Sequence, residues 1–175
     1  MEVEMKVKLN SEDMTFLQMR LCELNIELDK PKLQNDIYYK PQLRNDSLVR
    51  IRYTEENTTL NFKKKTENNG VWEEAETEIK EGDIAELIIQ ELGATHLVSV
   101  EKYRSEGMYN GIEVLIDRIT SLGDYLEIAI NNAYNPVLAN KKLYQILDLL
   151  NIDKSKVELR SYPELVLEAL NGKDK

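Results

Sequence analysis

The decapeptide MEVEMKVKLN at the start of the chain alternates with a period of two. Val3, Met5, Val7 and Leu9 fall on one face of a strand, and Glu2, Glu4, Lys6 and Lys8 on the other. The same pattern recurs downstream. Arg50 and Arg52 share a face of LVRIRY, Lys63 and Lys65 of LNFKKK, Glu74, Glu76 and Glu78 of EEAETEI, and Lys102 and Arg104 of VEKYR. Asp117 and Glu127 interrupt the strands EVLIDRI and YLEIAI. Water explains any one such face, because the outer side of an antiparallel sheet is polar. A solvated face, however, mixes Ser, Thr, Gln and both signs of charge, whereas here acids and bases are segregated strand by strand. Segregation favours a sheet closed into a barrel with these residues on its inner wall. Like charges gathered inside need counter-charges, divalent cations for the acids and a polyanion for the bases. The expected guest is therefore a metal-bound polyphosphate. Carboxylates without Cys or His companions are hard donors that suit Mg²⁺ or Mn²⁺. Arg50 and Arg52 can fork onto phosphate oxygens while the lysines act as point charges. There is no glycine-rich phosphate loop, so side chains must hold the phosphates.

The segments between these strands read as helices and turns. SEDMTFLQMRLCELNIEL places Met14, Leu17, Leu21 and Leu24 at helical spacing, with Ser11 as its cap. A second helix runs through DIAELIIQELG, starting near Asp83 and ending at Gly93. Asn110-Gly111 marks a tight hairpin, since both residues accept positive φ. Pro136 opens a helix in NPVLANKKLYQILDLLN, and Ser161 with Glu164 has capping-box spacing in SYPELVLEAL. The strands are mostly consecutive. An α+β fold follows, about eight strands in an antiparallel sheet or barrel with helices packed outside, rather than a βαβ repeat.

At 175 residues the chain is expected to form one domain over 1–175, with barrel strands and covering helices in 1–130 and a helical segment in 131–175. A net charge of −9 speaks against nucleic acid as a partner, because phosphate-backbone binding needs a broad basic surface. No run of about 18 apolar residues and no secretory leader is visible, so the expectation is a cytoplasmic protein without a membrane partner. Cys22 reads as a small buried hydrophobe, and His96 as a turn or strand-entry residue. The leucine-rich terminal helices either cap the barrel or supply a homodimer contact.

Glu2-Val3-Glu4-Met5-Lys6 matches an ExExK signature, followed in order by DIYY, LVRIR, LNFK, EAETEI, VEKYR, VLIDRI and LGDYLEIA. In this ordered set, spanning roughly residues 1–130, the chain resembles the CYTH superfamily. These are the triphosphate tunnel metalloenzymes: class IV adenylyl cyclases, thiamine triphosphatases and inorganic tripolyphosphatases. ELRSYPELV is similar to the C-terminal segment of the cyclase branch. The resemblance implies an eight-stranded antiparallel barrel forming a tunnel, in which Glu2, Glu4 and Glu127 hold the metal, and Lys6, Arg50, Arg52, Lys63, Lys102 and Arg104 bind a small-molecule triphosphate. It puts Lys6 and Asp117 at the reacting centre, with Glu76, Glu78 and Lys65 in a second rank. The implied activity is conversion of ATP to cyclic AMP and pyrophosphate. Hydrolysis of an inorganic, nucleoside or thiamine triphosphate, or binding without turnover, would use the same tunnel. One departure stands out: many relatives, the triphosphatases above all, carry a second acid in LEIE, where this chain has Ala129.

Overall fold

The computed structural model describes residues 1–68 and 70–172. Eight strands form a closed antiparallel barrel: β1 (Glu2–Leu9), β2 (Lys32–Lys40), β3 (Ser47–Tyr53), β4 (Thr58–Lys65), β5 (Val71–Ile79), β6 (Thr95–Tyr109), β7 (Ile112–Ile119) and β8 (Gly123–Ile130). They lie in the order β5-β4-β3-β2-β6-β7-β8-β1, and β1 closes the ring by pairing Glu2 with Trp72 and Val3 with Val71 of β5. Asn110 and Gly111 adopt φ of 50° and 77° and join β6 to β7, as the dipeptide predicts.

The apolar packing lies outside the wall. Helices α1 (Ser11–Glu23) and α3 (Pro136–Leu149) bury Leu17, Leu21, Leu143 and Leu147 against Val3, Met5, Val7, Val114, Leu126 and Ile128. These are the outward positions of β1, β7 and β8, so the alternating charges of the same strands point inward. Helix α2 (Gly82–Glu91) lies against β3 and β4 and ends at Gly93, whose φ is 90°. Helix α4 (Tyr162–Asn171) packs Tyr162, Leu165 and Val166 on Tyr38, Val98, Val100, Ile119 and Tyr125. These strand residues share the inward parity, so α4 caps one end of the cylinder. The Glu164 carboxylate accepts from the Ser161 backbone N–H at 2.7 Å and from its hydroxyl at 2.8 Å, fixing the helix entry.

Several local expectations are corrected. Asn10, not Ser11, caps α1: its side chain accepts from the Asp13 N–H while Asp13 accepts from the Asn10 N–H. The helix stops at Glu23 because Asn25 turns left-handed at φ 53°. Cys22 is exposed, since the buried stripe of Leu17 and Leu21 leaves the next residue facing water. A two-residue strand, β9 (Val157–Glu158), pairs with Lys6 and Val7. It is too short to show a period. Gly107 lets the α1–β2 connection cross β6: a Cβ there would lie 2.5 Å from the Glu27 carbonyl oxygen. Among the described residues no helix is long and apolar enough to cross a membrane.

Leu143→Ala empties a fully buried position of the outer apolar layer. It is expected to lower the unfolding free energy by about 2–5 kcal/mol in a urea titration.

Candidate active site

The barrel encloses a cavity of about 430 Å³ whose wall carries Lys6, Arg50, Arg52, Lys63, Lys102 and Arg104. Each of these cations has a carboxylate within 3.6 Å or less. The pairing follows directly from strand register. Lys6 faces Glu127 across β1–β8, Asp36 faces Arg52 across β2–β3, Lys63 faces Glu74 across β4–β5, and Arg104 faces Asp117 across β6–β7. Charges of one sign on a strand thus meet the opposite sign on its neighbour.

Three groups of contacts result. In the first, Lys6 Nζ lies 2.5 Å from Glu4 Oε1 and 3.7 Å from Glu127 Oε2. Arg104 forks onto Asp117 at 2.6 and 2.5 Å, and its Nη2 also reaches Glu127 Oε1 at 2.9 Å. In the second, Lys63 Nζ lies 2.6 Å from Glu2 and 3.6 Å from Glu74, while Arg50 Nη2 donates to Glu76 at 2.8 Å. The Asn61 amide donates to both Glu74 and Glu76. In the third, Arg52 forks onto Asp36 at 2.6 and 2.8 Å, and Lys102 Nζ sits 3.6 Å from Asp36 and 4.0 Å from Asp117. Tyr162 of α4 donates to Asp117 at 2.7 Å, and its ring centroid lies 5.2 Å from Lys6 Nζ and 5.1 Å from Lys102 Nζ.

Burial and partners set the protonation states. Burial alone pushes the Lys6 ammonium down, but Glu4 and Glu127 outweigh it and hold its pKa above the ordinary value. Burial likewise pushes Glu127 and Asp36 up, yet Arg104 and Lys6 hold the first, and Arg52 and Lys102 the second, well below the carboxylate range. Glu2 goes the other way. Burial and the neighbouring Glu74 raise it against the pull of Lys63. Lys102, buried and beside Arg104, is pushed down to about 8.

The structure therefore brings Glu4, Lys6, Glu127, Arg104 and Asp117 together, with Lys102 and Arg52 beside them and Glu2 next to Lys63. Asp117 is fully buried behind Arg104 and does not line the cavity, so it orients that guanidinium. Glu76 reaches the cavity through Arg50. Glu78 is exposed and away from the cavity, and Lys65 is tied at 3.4 Å to Glu164 on α4. Asp36, Asn61, Glu74, Trp72 and Tyr162 are the residues that the candidate set lacks. Asp36 shares its face with Tyr38 in NDIYYK, and beyond its place in the DIYY motif it is the register against Arg52 that marks it.

The carboxylates fit a hard divalent cation. The Lys6 ammonium stands between Glu4 and Glu127 as an internal positive charge, so both already converge on a cation position. Among the described residues no three acids, histidines or cysteines form a preformed cage. Two carboxylates of this kind are compatible with a hard divalent cation whose remaining ligands come from substrate phosphates.

The model of the CYTH domain matches residues 1–162. A Methanocaldococcus jannaschii protein that carries a provisional adenylate cyclase name is 29% identical over 172 residues, covering 94% of this chain and 97% of that one. A conserved hypothetical protein from Pyrococcus furiosus superposes with a TM-score of 0.83 at 27% identity, over 94% of this chain and 99% of its own. A Vibrio parahaemolyticus structure, also provisionally named as an adenylate cyclase, shares the fold at a TM-score of 0.77 and 19% identity, over 95% and 97% of the two chains.

Two pH effects follow from the paired wall. Asp36, Asp117 and Glu127 are held below their unfolded values, so their contribution to stability is present above about pH 4 and is lost as pH falls further. Chemical denaturation at successive pH values should show stability falling on the acid side. Lys102 loses its charge as pH rises through about 8 in the free protein, so affinity for a polyanion should weaken above that pH in a binding titration.

Proposed function

The chain belongs to the CYTH domain family, and on that footing we propose that it is a metal-dependent enzyme of triphosphates that converts ATP to cyclic AMP and pyrophosphate. The observation that carries this reading is the pre-paired wall: every cavity cation already has a carboxylate partner. A bare triphosphate that took over Lys6, Arg50, Lys63 and Arg104 would strand Glu4 and Glu127 as buried, uncompensated anions and leave Glu2 and Glu74 at the cavity wall without their cations. A triphosphate arriving with Mg²⁺ or Mn²⁺ exchanges both sets of partners at once. Glu4 and Glu127 would hold the metal, with Glu2 beside Lys63 as a further acid. When bound, such an ion neutralises charge on the reacting phosphoryl group and on the departing pyrophosphate.

The protein's own work is positioning and charge neutralisation. Arg52 and Arg104 are each fixed through Nε and Nη2 by an aspartate, which leaves Nη1 without a protein partner among the described residues. The buried Arg50 Nε is likewise unpartnered. These are donors preset for phosphate oxygens. The ribose 3′-oxygen would attack the α-phosphorus, with pyrophosphate leaving and the hydroxyl proton passing to water. Asp117 accepts from Arg104 and Tyr162 and has a lowered pKa, so its part is to hold Arg104 rather than to take that proton. Ala129 supports cyclisation over hydrolysis. It is buried and pairs across the sheet with Glu4 and Glu113, so the wall next to Glu4 offers a methyl group where hydrolysing relatives have an acid.

Hydrolysis of a terminal phosphoryl group is the second reading, favoured by the exposed part of the lining. Met1, Glu106, Asn131 and Asn132 include no aromatic ring on which a base could stack.

Incubation with ATP and with tripolyphosphate, each with Mg²⁺ and Mn²⁺, should yield cyclic AMP and pyrophosphate from ATP alone. Orthophosphate from both would establish the hydrolase reading, and no product from either would leave a polyphosphate-binding module. Glu4→Gln is expected to keep the melting profile and reduce turnover by at least about 100-fold, the upper figure for disturbing a metal ligand's surroundings. Arg52→Ala should chiefly raise KM.

A further inference from the structure

Asp36 lies in the middle of β2 with none of its surface exposed, and it stands behind the cavity wall rather than in it. Both oxygens are taken by the Arg52 fork, and Oδ2 also lies 3.6 Å from the Lys102 ammonium. On the far side of that ammonium Asp117 repeats the arrangement with Arg104, at 4.0 Å. Lys102 is thus a buried cation between two carboxylates, each clamped to its own guanidinium, with the Tyr162 ring 5.1 Å away. Compared with a well-packed apolar pair, a buried ion pair of this kind adds little net stability, because desolvation offsets most of its Coulomb gain, although removing one partner alone leaves the other charge uncompensated. What it does contribute is orientation and local potential. The fork fixes the guanidinium plane of Arg52, and the carboxylate counters the repulsion that Arg52 and Arg104 exert on Lys102.

We propose that Asp36 is a positioning residue for triphosphate binding: it aims Arg52 at the cavity and keeps Lys102 in its cationic form. One side chain that never meets the substrate thereby governs two that do. The inference rests on the reading of the cavity as a triphosphate site. The groups facing Lys102 are Asp36 on β2, Arg52 on β3, Arg104 on its own strand, Asp117 on β7, Tyr162 on α4 and, farther off, Glu127 on β8. With Asp36 neutral, two arginines would push on the ammonium and Asp117 would be the near carboxylate left to oppose them. Lys102 would then give up its proton at lower pH.

The test compares wild type with Asp36→Asn, Asp36→Glu and Arg52→Gln by two readouts across the neutral to alkaline range. The first is the Lys102 titration midpoint, followed by NMR at its ε-carbon in the ligand-free protein. The second is affinity for Mg²⁺-tripolyphosphate, followed by the fluorescence of Trp72, the chain's single tryptophan and a residue of the cavity wall. Asp36→Asn should lower the midpoint by about one pH unit, a tenfold change in protonation, with affinity declining correspondingly earlier. Asp36→Glu should restore the midpoint but not the full affinity, because a longer carboxylate displaces the fork. Arg52→Gln should raise the midpoint, since a repelling charge is gone while Asp36 remains. If Asp36→Asn alone does not fold, the double variant Asp36→Asn/Arg52→Gln must titrate below Arg52→Gln. An unchanged midpoint in either comparison overturns the proposal. Failure of tripolyphosphate to bind wild type would instead overturn the reading of the cavity, and the ligand-free titration would still decide whether Asp36 controls Lys102.

Discussion

Cross-strand neutralisation inside a closed cylinder is the constraint on which the rest of this structure depends. Side chains that alternate along a strand must send one set inward, and here the inward set is ionic. Buried charge is tolerable only when paired, so the order of strands around the barrel is also an order of signs: acidic Asp36 beside basic β3, basic Lys63 beside acidic β5, Arg104 beside Asp117, Lys6 beside Glu127. Had β2 carried an apolar residue at position 36, Arg52 would lose its carboxylate partner, and an apolar residue at position 117 would leave Arg104 with Glu127 alone.

The same pairing underlies the proposal that the inner wall is a site and not merely a salt-bridge lattice. Arg52 and Arg104 are held from behind by aspartates, through forks that leave a donor edge toward the cavity, while Lys6, Arg50, Lys63 and Arg104 pair with glutamates that a stronger set of partners could replace. Asp36 and Asp117, both fully buried, belong to the fixed part. Glu4, Glu127, Glu2 and Glu74 make up the part proposed as exchangeable, and burial with the neighbouring Glu74 pushes the Glu2 pKa upward against the pull of Lys63. On the proposed reading, a metal-bound polyanion would satisfy both halves without leaving a charge alone.

Much of this was legible in the sequence because period-two alternation survives translation into a sheet unchanged. The inward charges of β1, β3, β4, β6, β7 and β8, the Asn110-Gly111 hairpin, the stop at Gly93 and the entry of α4 at Ser161 and Glu164 all follow from spacing and local chemistry. What spacing does not contain is register. Asp36 reads as one acid in an aromatic strand until Arg52 is seen directly across from it, and Tyr162 reads as a helix-start residue until the cap is seen to turn it toward Asp117. Asn10 and Ser11 are both good caps, and only the reciprocal bond with Asp13 separates them. Glu78 keeps the right parity yet stays in water, because β5 pairs with β1 through Trp72 and Val71 alone and its later residues remain exposed.

The apolar layer between the barrel's outer surface and helices α1 and α3 has a consequence for how such a protein can change. Cohesion and chemistry are assigned to opposite faces of the same strands, so the lining can be rewritten residue by residue while Leu17, Leu143 and Leu147 go on holding the cylinder shut. Replacing whole inward ion pairs, both partners together, by well-fitting hydrocarbon side chains would even be expected to harden the molecule as it removes the charged lining. A lineage built this way has wide freedom to retune its guest and a standing temptation to lose it.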